Sequence, residues 1–126
     1  DFNVFELQKA LTARDVVKAN RIIRYFASNP REYPMVNLLP ILFAFFQKLL
    51  TYHYLDQKSG NEAAAALGVR PSVVYEYQQA ARTFPARRVV AIISLLREYD
   101  LKSKGFDSGS ADGGELMKEL IFKILH

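Results

Sequence analysis

The sequence predicts an all-α domain, a compact bundle of about six to seven helices built round one long buried central helix. Two patterns carry that prediction: apolar residues recur at helical spacing through most of the chain, and no run of β-branched residues alternates convincingly at period two. Proline, glycine and capping residues cut the pattern into segments of helix length. At 126 residues, 50% of them apolar, the chain has enough apolar matter for one continuous core and no room for a second domain.

In chain order, Asn3 is placed to cap a short helix reaching about Ala10, with Phe2 and Phe5 as apolar anchors. Residues 14–27 form a clearer helix, with Val16, Ala19, Ile23 and Phe26 on one face and Arg14, Lys18 and Arg21 on the other. It ends at Asn29-Pro30, because the residue before proline disfavours helix. Pro34 suits the first turn of the long third helix, whose apolar density marks it as the spine of the core. Pro40 lies inside it, so this helix either begins nearer Leu39 or bends there. The window 35–55 also contains Asn37, Gln47, Lys48, Thr51 and His53, which makes it a poor membrane span and a good core helix.

Asn61 is a candidate cap for a helix over residues 62–67, stopped by Gly68 in the left-handed conformation. Pro71 restarts helix, and residues 72–83 run until Pro85 forces a boundary at Phe84. Residues 86–102 make the next helix, with Val89, Ile92, Ile93 and Leu96 inward. Residues 105–114 hold four glycines among serine and aspartate and predict a mobile surface loop, whose Asp112 can approach the following helix start. Leu116, Leu120 and Ile124 then give the last helix its stripe, widened by Ile121 and Leu125.

There is no cysteine, which excludes disulfides and thiolate zinc sites and fits a reducing cytoplasm. The chain starts at Asp1 without a basic or apolar leader and reads as a fragment of a longer protein. A net charge of +4 would assist binding to nucleic acid or acidic surfaces without specifying either. The basic residues gather in two places, Arg14, Lys18 and Arg21, and Arg82, Arg87 and Arg88. Both are candidate nucleic-acid contacts, although charged faces of this kind also serve simply as solvated surface.

Ala64, Gly68 and Val74 stand at helix-turn-helix separations, which raises a DNA-binding reading in which Ser72, Tyr75, Glu76, Gln78, Gln79 and Arg82 face the major groove. One base beside a glutamate is a poor answer to a phosphate-rich surface, and the same spacing serves packing. Catalysis finds no acid–base pair: His53 sits in an aromatic core helix as a structural histidine, and His126 is terminal. No His pair at i,i+4 and no calcium-loop pattern suggests a metal, and no Gly-rich loop ends in Lys-Ser or Lys-Thr, so no cofactor is expected. Glu98 with Lys102, and Glu119 with Lys123, are i,i+4 pairs worth tenths of a kcal/mol each.

A further set of residues carries a resemblance. Asp100 followed by Lys104-Gly105, a polar loop, and a Leu-rich helix opened by Glu115-Leu116 is similar to the C-terminal end of the bacterial DNA polymerase III delta subunit, a clamp-loader component. Phe5-Glu6-Leu7, Asp15-Val16-Val17-Lys18-Ala19, Leu67-Gly68-Val69-Arg70-Pro71, Val73-Val74 and Ala80-Ala81-Arg82 extend it over nearly the whole chain. The resemblance implies a collar domain, the C-terminal helical part through which five related subunits form a ring above ATPase-like domains. It implies no enzymatic activity for this part, and the other clamp-loader subunits as partners. The sliding clamp and primed DNA would be met through the full-length assembly, and no membrane is involved. Clamp contact in that family belongs to the N-terminal region, and delta does not hydrolyse ATP. A ring of non-identical domains needs heterologous surfaces. Tyr99, Lys104, Leu116, Leu120 and Phe122 are the candidate subunit-interface residues.

Overall fold

The computed structural model describes residues 2–105 and 112–126, and among them it contains helices and no strand. The elements are α1 (Val4–Thr12), α2 (Val16–Ser28), α3 (Met35–His53), α4 (Gly60–Leu67), a short 3-10 turn (Pro71–Val73), α5 (Val74–Thr83), α6 (Ala86–Ser103) and α7 (Gly113–Leu125). The expected loop over 105–114 lies for the most part outside the described residues.

Helix starts follow local chemistry. The side-chain oxygens of Asn3, Asp15 and Asp112 accept hydrogen bonds from the backbone N–H of Glu6, Lys18 and Glu115 at 3.0, 3.1 and 2.8 Å. Each satisfies a donor that the first turn leaves open, worth about 1 kcal/mol. Asp15, three residues before Lys18, thus replaces Arg14 as the boundary of α2. Ser59 stands at the start of α4, two residues earlier than the expected Asn61. Gly68 ends that helix at φ 69°. Phe84 leaves α5 in extended backbone because Pro85 follows.

α3 and α6 pack most extensively, as do α2 and α7, and α1, α5 and α4 close the remaining sides. α3 runs unbroken through Pro40. By length and composition it is long and apolar enough to cross a membrane, yet Leu38, Leu39, Leu42, Phe46 and Leu49 are buried among the other helices. Aromatic rings key the elements together: Phe26 stacks on Tyr33 at 4.4 Å, Phe45 on Tyr77 at 5.2 Å, and Phe46 meets Phe84 edge-on at 5.4 Å. Among the described residues no polar side chain other than tyrosine is buried.

Two inward assignments change. Phe5 is 60% exposed, since the core-facing phase of α1 runs Val4, Leu7, Leu11 and turns Phe5 outward. On α2, Ile22 joins Ala19, Ile23 and Phe26 in the core, while Val16, at the first turn, is only half-buried.

Candidate interaction surfaces

The C-terminal ends of α1, α3, α5 and α7 gather at one pole of the domain. Each exposes carbonyls that no further turn can satisfy and carries the negative end of a helix dipole. The Arg14 guanidinium donates to the Leu125 carbonyl at 2.8 Å and to that of Thr83 at 3.4 Å, and lies 5.8 Å from the centre of the Phe84 ring. Arg88 donates to the carbonyls of Lys123 and Ile124, the latter at 3.1 Å. The Thr83 hydroxyl donates to the Thr12 carbonyl. Lys58 does the same work for α3, donating to the carbonyls of His53 and Leu55 at 3.1 and 2.7 Å.

His53 Nε2 lies 2.7 Å from the Phe84 carbonyl. A carbonyl only accepts, so Nε2 carries the proton and the ring is a fixed structural donor. This is the role its aromatic surroundings suggested.

The nucleic-acid candidates therefore divide. Arg14, itself exposed, and the half-buried Arg88 use their guanidinium groups to cap helix ends of their own domain. Arg14 is not on the α2 face at all but in the turn before it, at φ 53°. Lys18, Arg21, Arg82 and Arg87 are exposed, on α2, α5 and α6. Lys18 and Arg21 keep one exposed face of α2, without Arg14, whereas Arg82 and Arg87 lie on two different helices.

The interface candidates divide too. Tyr99, Leu116 and Leu120 are 0%, 3% and 1% exposed and belong to the domain's own core, which corrects the expectation that they offer surface. The reason is the pairing of α7 with α2 and α6, which uses the whole widened stripe of α7. The Tyr99 hydroxyl reaches out of the core to donate to Glu119 Oε1 at 3.0 Å, and the ammonium groups of Lys102 and Lys123 lie 4.7 and 5.0 Å from its ring centre. Glu119 is thus held by Tyr99. Hydrogen bonding to Tyr99, ahead of the nearby carboxylates, raises the pKa of Lys123. Glu98 and Lys102 do pair, at 3.1 Å. Lys104 is exposed and paired with Asp100 at 3.0 Å. Phe122 is 62% exposed, its ring stacked on His126 at 4.4 Å.

Ala64 and Val74 are buried at 3% each, and the α4–α5 corner packs them against the rest of the bundle. The helix-turn-helix spacing is explained by packing. Among the described residues no group of three or more His, Cys, Asp or Glu side chains is placed to hold a metal ion.

The described residues form an all-α domain, a bundle of seven α-helices. The family model for the DNA polymerase III delta subunit, C-terminal domain, matches residues 1–124, and the chain belongs to that family. The Bacillus subtilis DNA clamp loader delta protein (YqeN) shares the fold at a TM-score of 0.77 and 20% identity, over 97% of this chain. The chain spans 35% of that protein's length. No curated protein sequence matches significantly.

Proposed function

We propose that this domain is the ring-forming part of a delta subunit, joining the other clamp-loader subunits so that the assembly can load the sliding clamp onto primed DNA in the cytoplasm. On this reading the ATPase-like domains of the subunit precede residue 1, and the 126-residue unit itself is non-catalytic. The match of the family model over residues 1–124 carries the proposal. Its physical support is a core complete in itself, with Phe122 and Lys104 left outside it on α7 and at the end of α6. Phe122 stands near the Arg88 end of α6 and Lys104 at its other end, and exposed aromatics are among the residues from which interface centres are made.

The test is reconstitution of the full-length subunit with the other purified clamp-loader subunits, followed by size-exclusion chromatography with light scattering. A stoichiometric complex is expected, and one that needs this domain. A subunit that stays monomeric beside its intended partners overturns the proposal.

A further inference from the structure

α3 carries more apolar surface than its own domain covers. Only 44% of its most apolar 18-residue window is buried, and its outward side mixes apolar residues with Asn37, Gln47 and Thr51. Val36 is 45% and Ile41 36% exposed, and with the exposed Pro40 and Ala44 they fall within an outward arc of about 140° on the first three turns, which Asn37 also shares. Pro40 has no N–H to give the Val36 carbonyl, which leaves an acceptor open within that face.

Hollows flank this ridge on both sides and meet at Pro40. One, of about 310 Å³, lies against α6 and is floored by Phe43 and Leu96. The other, of about 520 Å³, lies against α1 and α5, where the exposed Phe5 and the half-buried Val73 continue the apolar surface. Four cations rim the pair, Lys48, Arg70, Arg97 and Lys104, against two carboxylates, Glu76 and Asp100. Asp100 is already held by Lys104, and Arg97 lies 5.8 Å from the Phe43 ring centre with its outer edge free for a partner.

We infer that the outward face of α3 docks an amphipathic helix of a neighbouring subunit, its apolar side chains filling the two hollows and its flanking carboxylates meeting Arg70 and Arg97. The inference rests on the ring-forming reading above and assigns one of the two unlike faces that such a ring requires. A second copy of the same domain is a poor occupant. Two-fold pairing of this face would bring one cationic rim against another.

The experiment titrates full-length subunit into the other purified clamp-loader subunits and compares wild type with Val36→Glu/Ile41→Glu, with Phe5→Glu, with Arg70→Glu/Arg97→Glu, and with Tyr54→Glu, a 75% exposed residue outside the face. Thermal melts confirm that each variant is folded, and Phe5→Glu tests the same surface from α1 should the α3 variant fail to fold. Expected is a loss of at least about 30-fold for the apolar variants, the scale of an interface hot spot. The charge reversal should lose about 10-fold at low salt, with the loss shrinking as salt is raised. Tyr54→Glu should bind as wild type. If wild type assembles and the folded α3 and Phe5 variants assemble equally well, this inference fails while the ring reading stands. If wild type does not assemble, both fail. Self-association of wild type, abolished by Ile41→Glu, would replace the neighbouring subunit by a second copy and overturn the inference.

Discussion

Arg14 holds an uncommon backbone conformation, φ 53°, in order to aim its guanidinium at the end of α7. A non-glycine residue in that region pays a local conformational cost, and the hydrogen bonds to Leu125 and Thr83 are what offset it. Arg14→Ala and Arg88→Ala should each lower stability by about 1–2 kcal/mol, since each leaves helix-end carbonyls with water alone. Urea denaturation of the two variants measures this, and unchanged midpoints would show that the capping bonds contribute nothing. These roles were not legible in the sequence: the partners of Arg14 and Arg88 lie 111 and up to 36 residues away, and periodicity reports only the helix face on which a residue would fall. Another residue-level consequence concerns Tyr77, whose phenol is pushed up to about 12 by burial and then by the Glu76 carboxylate. Its folded pKa is raised, so its contribution is complete below pH 10 and is lost as pH climbs through about 12, where the ring must ionise or the fold must open. Melting temperature should therefore fall over that window, and Tyr77→Phe should flatten the fall.

At the scale of elements, stops and starts were readable where backbone chemistry is local. Asn3, Gly68 and the Phe84-Pro85 boundary stand where the pattern placed them, because a cap, a left-handed glycine and a pre-proline residue act within a turn of themselves. Phase was readable only for helices with a wide apolar stripe. α7 obeyed its pattern, whereas at α1 the expected anchor Phe2 packs against the core but Phe5 does not, and Val4, Leu7, Ala10 and Leu11 are the buried residues. Gly68→Ala should cost about 1 kcal/mol, the penalty for a Cβ in the left-handed region. At Gly114 the reason differs: an added Cβ would come within 3.0 Å of the Ala27 Cβ, so α2 and α7 approach each other through a missing methyl. Gly114→Ala should destabilise the domain modestly, and Ala27→Gly in the same chain should recover part of the loss. Independent, additive effects of the two changes in a double-mutant cycle would show that this contact is not the cause.

For the molecule as a whole, part of the charge excess that invited a nucleic-acid reading sits on helix-end carbonyls at the surface, through Arg14, Arg88 and Lys58. What the surface keeps is a scatter of cations and a few exposed apolar side chains, Phe122 and Ile41 among them. Phe122→Glu is expected to leave the melting temperature within about 1 °C while weakening incorporation into the assembly, since an exposed substitution changes stability little. Leu120→Glu, by contrast, would drive a carboxylate into the core and unfold the domain, so only the former can report on docking. The fold class and the apolar stripe of α7 were visible from periodicity and punctuation, but not whether that stripe meets a neighbour or the domain's own core, and it is the side α2 requires.

The gathered helix ends also set a timetable. Arg14 emerges from the ribosome more than a hundred residues before the Leu125 carbonyl that it clasps, and until α7 arrives α2 is covered by α1 but lacks its most extensive partner. Vectorial synthesis therefore cannot finish this domain piecemeal: the earlier helices wait, partly open, and the structure locks in one late step when its final turn reaches the clasp.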